Sequence, residues 1–281
     1  SITLAERLDA EIVGADAFQI YQEIPILTAQ PTAAERDLIR HHCVGFVPVA
    51  SGFDAAAYVR AAETALADIQ ARGKRALIVG GTGLYVRALT TGLDPTPPAD
   101  PFLRSELAEL SLPDLIERLR QADPMAPAMV DLANRRRVQR ALEICETSGQ
   151  PLAAFRTPPS PPPTNGLLLT RDRSNLYSRI DSNVETMFAA NVEAEVRQLG
   201  SSDTLGPTAA RTLGLREVQA VLRGEMTRPE AIATIAQSTR RYAKRQLTWF
   251  RNQTNFTTLE LPPVTHPREA VEEACRLLKL A

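Results

Sequence analysis

Ala76-Leu77-Ile78-Val79-Gly80-Gly81-Thr82-Gly83 is the segment from which the architecture is read outward. Four consecutive apolar residues running into glycine fit a strand covered on both faces, as in a parallel sheet. The glycines break the extended backbone and open a helix over residues 84–89. Upstream, Asp54 is placed to cap a helix whose residues Ala55, Val59, Ala62, Leu66 and Ile69 recur at helical spacing until Gly73 stops it. Before that helix, Glu11-Ile12-Val13-Gly14-Ala15-Asp16 reads as a short strand ending in a carboxylate. Strand, helix, strand, glycine turn, helix is the order of a parallel α/β sheet with flanking helices.

Beyond this core the pattern changes. Residues 97–150 carry short capped helices: Asp100-Pro101 opens one, Ser111-Leu112-Pro113-Asp114 a second, and Asn134 a third that ends near Gly149. They are read as an all-helical insert. The run Thr157-Pro-Pro-Ser-Pro-Pro-Pro163 is read as extended, within a proline-rich connector over residues 151–163. Residues 166–170 supply one more strand, and the remainder is read as helical over 174–199, 215–222 and 227–251. The last begins with the capping box Thr227-Arg228-Pro229-Glu230. Residues 1–96 and 164–281 therefore form the α/β core.

Composition narrows the class. The chain has 281 residues, 44% of them hydrophobic, which excludes disorder over most of its length. No apolar run is long enough to span a bilayer, and the first residues lack the pattern of a signal peptide. Three widely spaced cysteines form no disulfide or metal pattern and fit a reducing cytoplasm. With 32 Lys+Arg against 33 Asp+Glu the chain is no polycation, yet basic residues cluster at Arg135-Arg136-Arg137 with Arg140, and at Arg240-Arg241, Lys244-Arg245 and Arg251.

Four features could carry chemistry. Asp16 sits at the carboxyl end of a strand, where open parallel sheets bind ligands, and could accept a proton; equally, it could only cap the next turn. Gly80-Gly81-Thr82-Gly83 lets backbone amides approach an anion, or forms a tight turn and nothing more. On the last helix, Arg240, Lys244 and Arg251 share one band, with no acid between Ala231 and Arg251. That band suits a diphosphate or a nucleic-acid backbone, the alternative being a solvated face. Arg136, Arg137 and Arg140 have the same two readings. His41-His42-Cys43 is assigned to structure, because adjacent strand residues point to opposite faces, and Trp249 to the core.

Taken together these segments resemble the tRNA dimethylallyltransferase (tRNA isopentenyltransferase) family over nearly the whole chain. The family's Asp-Ser-x-Gln-x-Tyr and Thr-Ala-Lys-Pro appear as Asp16-Ala17-Phe18-Gln19-Ile20-Tyr21 and Thr28-Ala29-Gln30-Pro31. Its histidine pair matches His41-His42, and its Gly-Gly-Thr-x-Leu-Tyr matches Gly80 to Tyr85. Asn134 to Glu143, Thr212-Leu213-Gly214-Leu215-Arg216-Glu217 and Arg241 to Trp249 complete the set in order.

The resemblance implies a P-loop NTPase-like fold and transfer of a dimethylallyl group from its diphosphate to N6 of the adenine 3′ of a tRNA anticodon. It implies Asp16 and Thr82 as catalytic residues. Gly80, Gly81, Arg211, Arg241 and Lys244 would bind the diphosphate. Asp16, Ala17, Phe18, Gln19, Arg104, Arg136, Arg137 and Arg140 match positions that touch tRNA. Mg²⁺ would accompany the diphosphate, although no metal ligand is identified in these residues, and the enzyme is expected to be a cytoplasmic monomer without a membrane partner. The chain also departs from the family. No Gly-x-x-x-x-Gly-Lys-Ser/Thr occurs in it, and Ala17, Gln22-Glu23 and Gln30 replace the usual Ser, Arg-Gly and Lys. The alternatives are a longer chain carrying that loop before Ser1, a disabled homologue that binds tRNA without turnover, and a nucleotide-directed prenyltransferase or kinase-like enzyme.

Overall fold

A computed structural model describes residues 1–158, 160–200 and 204–280. The chain forms two compact units, one of Ser1–Gly92 with Pro162–Ala281, the other of Leu93–Pro161. In the first, helix α1 (Ile2–Leu8) ends at Asp9, whose φ of 47° turns the chain into the fully buried strand β1 (Ala10–Gly14). Helix α2 (Ala33–Leu38) starts in a capping box of Thr32 and Glu35 and leads to the two-residue strand β2 (His41–His42). Asp54 caps helix α3 (Ala55–Ala71) by accepting from the Ala57 amide. Gly73, at φ 70°, has the left-handed backbone that lets the chain reverse into β3 (Arg75–Val79). Helix α4 (Gly83–Thr91) follows directly.

These strands form a parallel sheet in the order β2-β1-β3. Its register fixes what lies at the carboxyl end: Gly14 is paired with Val79, so Ala15-Asp16 and Gly80-Gly81 leave the sheet side by side. The apolar run of β3 is not covered on both faces as the sequence suggests. Arg75, Ala76 and Ile78 are exposed, and among the described residues β3 is an edge strand. A continuous apolar run reports low polarity; it does not report how many neighbours a strand has.

The second unit is helical: α5 (Pro101–Glu109), α6 (Leu112–Ala122), the single turn α7 (Ala126–Met129) and α8 (Arg135–Ser148). Asp100, Ser111 and Asn134 cap α5, α6 and α8 as their sequences suggest. Leu107, Leu115, Leu119, Val138, Ala141 and Leu142 form its own core. The proline-rich connector begins with a short turn. Leu152–Phe155 form a 3-10 turn, and Leu152 joins that core because its amide is held by the Asp123 carboxylate at 2.9 Å.

The chain then returns to the first unit with β4 (Leu167–Arg171), α9 (Arg173–Ala189), α10 (Val192–Gln198), α11 (Leu215–Leu222) and α12 (Arg228–Gln253). The single helix read over 174–199 is two, divided where Asn191 takes φ 65°. Strand β5 (Thr257–Leu261) pairs in parallel with β4 in a separate two-stranded sheet, and α13 (Pro267–Leu278) follows. β5 corrects the all-helical reading of the C-terminal part, and its alternation Thr257, Leu259, Leu261 was the available signal. The main core joins Val13, Ile20 and Tyr21 to Tyr58 of α3 and Tyr85 of α4, whose rings stack 4.1 Å apart. No helix among the described residues is long and apolar enough to cross a membrane.

Candidate active site

The two loops leaving β1 and β3 are stitched together by backbone. The Ala15 amide donates to the Val79 carbonyl at 2.8 Å, and the Thr82 amide donates to the Ala15 carbonyl at 3.0 Å. The Thr82 hydroxyl oxygen accepts from the Ala17 amide at 2.9 Å. Gly80 permits this approach: a Cβ there would lie 2.2 Å from the Ala15 carbonyl oxygen. Asp16 is thereby held beside Thr82. Its Oδ1 accepts from the amides of Phe18 at 2.8 Å and Gln19 at 3.2 Å, so the capping role is real. Among the described residues no hydrogen bond is drawn to Oδ2, which leaves that oxygen for a further donor. Burial pushes the Asp16 carboxyl above the ordinary aspartate range, and the two amides offset part of the shift.

Helix α12 closes the other side. Gln246 donates to the Gly81 carbonyl at 3.0 Å, and Trp249 packs so closely on Gly83 that a Cβ there would meet its ring at 2.3 Å. The Tyr242 phenol lies near Thr82, Gln246 and Asp16; burial pushes it up, and the Asp16 charge adds to that. Tyr242, Gln246 and Trp249 fall at i, i+4 and i+7, one face of the helix. Sequence reading passed over Tyr242 and Gln246, although that spacing within the Arg241–Trp249 segment was visible. Trp249 is half-buried: it packs against the main core and, on its other side, on the glycine turn.

The cations divide. Lys244 lines an open groove with Arg245, Thr248, Trp249, Asn252 and Gln253, and Trp249 is common to this groove and the glycine turn. Arg241 is exposed one residue from Tyr242 on the same helix. Arg211 ends a 3-10 turn over Ala209–Arg211 and is also exposed. The three-cation band is broken, because Arg240 is ion-paired with Asp181 of α9 and lies 5.2 Å over the Tyr177 ring. The acid that α12 lacks between Ala231 and Arg251 is supplied by a neighbouring helix.

Gln19 spends both amide hydrogens on the carbonyls of Thr28 (3.1 Å) and Ala29 (2.9 Å). Ala17 and Phe18 are half-buried between Asp16 and Gln19. Gln30, where the family carries Lys, donates to the Tyr21 carbonyl and accepts from the Arg36 guanidinium at 2.7 Å. His42 bonds Glu11 at 2.6 Å and His41 the Ile39 carbonyl at 2.7 Å, so both histidines hold the sheet.

In the helical unit, two of the four arginines read as contacting tRNA are already engaged. Arg104 makes a bidentate pair with the buried Glu143, at 2.7 and 2.8 Å. Arg140 bonds Glu143 at 3.2 Å, the Thr96 hydroxyl at 3.0 Å and the Pro97 carbonyl at 2.6 Å. A buried carboxylate demands compensation, and these two residues provide it. Arg136 and Arg137 are exposed, with Arg137 only 3.6 Å from Asp131. Among the described residues no three acid, histidine or cysteine side chains gather as a metal cage. Mg²⁺ binds through one or two carboxylates plus substrate phosphates and water, so an ion here would depend on the diphosphate for its ligands.

A parallel sheet of P-loop NTPase-like type, with a carboxylate and a glycine turn at its carboxyl edge, places the chain in the α/β class whose ligands bind beyond that edge. A family profile described as IPP transferase matches residues 19–253. The chain is 40% identical over 97% of its length to a tRNA dimethylallyltransferase of Akkermansia muciniphila, covering 92% of that protein. It is also 40% identical over 93% of its length to tRNA dimethylallyltransferase 1 of Citrifermentans bemidjiense, covering 87% of that protein. Its structure matches the full-length tRNA isopentenylpyrophosphate transferase of Bacillus halodurans with a TM-score of 0.70 and 32% identity, over 99% of this chain and 91% of the other. The chain belongs to the IPP transferase family.

Proposed function

We propose that this chain transfers a dimethylallyl group from dimethylallyl diphosphate to N6 of the adenine 3′ of the anticodon in tRNA. The observation that carries the reading is the joining of Asp16, Gln19, Thr82 and Tyr242 around one turn at the sheet's end. The N6 lone pair forms a C–N bond to the allylic carbon as the C–O bond to diphosphate breaks, and the N6 proton passes to the Asp16 carboxylate. An aromatic amine is a weak nucleophile, so stabilising the departing diphosphate carries much of the rate. Lys244 and Arg241, with Arg211, supply cations for it, and the amides of Gly80 and Gly81 approach from the other side. Thr82 is held by its bonds to Ala15 and Ala17 and orients the reacting amine. The adenine must be unstacked to reach Asp16.

Arg136 and Arg137 of the helical unit are available for the tRNA backbone, whereas Arg104 and Arg140 shape the surface from behind through Glu143. Mg²⁺ entering with the diphosphate would offset part of its negative charge, and the residues named above carry the steps. The enzyme works as a monomer in the cytoplasm; the three cysteines are buried free thiols, as suits a reducing compartment. The test is incubation with an anticodon stem–loop, dimethylallyl diphosphate and Mg²⁺, followed by nucleoside analysis. N6-dimethylallyl adenosine is expected; stem–loop binding without product would favour the disabled homologue.

A further inference from the structure

Glu195 on α10 has no part in the site as described, yet it is buried and its two oxygens are both spent on one distant turn. Oε2 accepts from the Ile26 amide at 2.7 Å and Oε1 from the Leu27 amide at 2.8 Å, 169 and 168 residues away in sequence. Burial pushes this carboxyl up and the two amides hold it down, so both bonds matter to its charged form.

The turn it grips is closed on itself. Thr28 N donates to the Ile24 carbonyl, Ala29 N to the Ile26 carbonyl and Gln30 N to the Pro25 carbonyl, with Ala29 at φ 49°. This winding leaves the Thr28 and Ala29 carbonyls converging on the Gln19 Nε2. With both amide hydrogens committed, Gln19 can present only its Oε1, a pure acceptor, to a ligand. The Gln19 backbone amide meanwhile donates to Asp16.

We infer that Glu195 is a positioning residue for base recognition: by fastening Ile26 and Leu27 it aims the two carbonyls that orient the Gln19 amide beside Asp16. The Ile26 and Leu27 amides need acceptors, and one carboxylate from a helix remote in sequence satisfies both, so the position of this turn depends on Glu195. An amide that lost this guidance could turn over and offer its NH₂ where the exocyclic amine of a base requires an acceptor. The inference rests on the proposed function, since it concerns reading of the base and not handling of the diphosphate.

The test is a double-mutant cycle with Glu195→Ala, Glu195→Gln and Gln19→Ala, reading KM for the anticodon stem–loop and for dimethylallyl diphosphate separately. Glu195→Ala should raise the stem–loop KM about tenfold and leave the diphosphate-substrate KM unchanged. Glu195→Gln, which keeps one acceptor, should fall between, and it decides the matter if the alanine variant does not fold. In the Gln19→Ala background either change should add less than about twofold, because the two residues act through one contact. Multiplying effects, or equal rises in both KM values, would overturn the assignment. Amide hydrogen exchange at Ile26 and Leu27 should quicken in Glu195→Gln; unchanged exchange would equally refute it. If the unaltered protein binds the stem–loop without turnover, the proposed reaction fails, while the same cycle read on Kd still tests Glu195.

Discussion

Gly80→Ala tests whether the close approach of the two loops is what makes the site. The added Cβ would lie 2.2 Å from the Ala15 carbonyl oxygen, 2.3 Å from its carbon and 2.7 Å from its Cα, whereas ordinary contact begins near 3.4 Å. All three atoms are backbone, so no side chain can swing aside. The glycine turn must retreat by about 1 Å, which weakens the Thr82-to-Ala15 and Ala15-to-Val79 hydrogen bonds. Two weakened backbone bonds at about 1 kcal/mol each, with overpacking of about 1–2 kcal/mol, predict a stability loss of roughly 3 kcal/mol. The same displacement separates Thr82 from Asp16, and a 1 Å misplacement of reacting groups costs about 10²-fold in rate. Prenyl transfer to the stem–loop and denaturant unfolding measure the two effects. Gly73→Ala is the comparison: Gly73 has φ 70° but open space around it, so only stability should fall, by about 1 kcal/mol. A Gly80→Ala enzyme with unaltered kcat would refute the reasoning, as would an equal rate loss in Gly73→Ala.

Asp16 must be ionised to accept a proton and burial raises its pKa, so the acid limb of kcat/KM should lie above the ordinary aspartate value of about 3.9, and Asp16→Asn should remove transfer but keep stem–loop binding. Tyr242→Phe should lower kcat about tenfold by removing the phenol that lies beside Thr82 and Asp16, with stem–loop Kd unchanged. Arg140→Glu places a like charge on the buried Glu143 and should cost about 2 kcal/mol by thermal unfolding, whereas Arg136→Glu should leave Tm alone and reduce the salt slope of tRNA binding by about 1. For Glu11, burial opposes the charge but hydrogen bonds from His42 and Arg72 outweigh it and hold the carboxyl below its ordinary range. Stability from this group is therefore present above an unfolded pKa of about 4.3 and is lost as pH falls through the lower folded value. Glu11→Gln should flatten that acid loss in an unfolding series.

The local decisions were written in the chain itself. Helix caps at Asp54, Asp100, Ser111, Asn134 and Thr227 fall where their sequences put them, because a cap is a contact between residues two or three apart. The strand–glycine–helix order and the ends at Gly73 and Gly149 depend likewise on backbone propensities that each residue carries with it. The motifs in order named the family, and Asp16 and Thr82 were singled out before the bonds from Thr82 to Ala15 and Ala17 that bring them together were visible.

Partnership across the sequence was decided by the tertiary structure. Arg240 and Arg140 look like ligand-binding cations in a linear reading, yet Asp181 lies 59 residues from the first, and the second faces a carboxylate whose burial only the folded helices create. Glu195 is unremarked in its helix until Ile26 and Leu27 arrive against it. Tyr242 joins the site only because α12 crosses the glycine turn. Periodicity tells which face of an element is apolar, but a charge acquires its role from the nearest opposite group, and in a folded chain that group is set by packing.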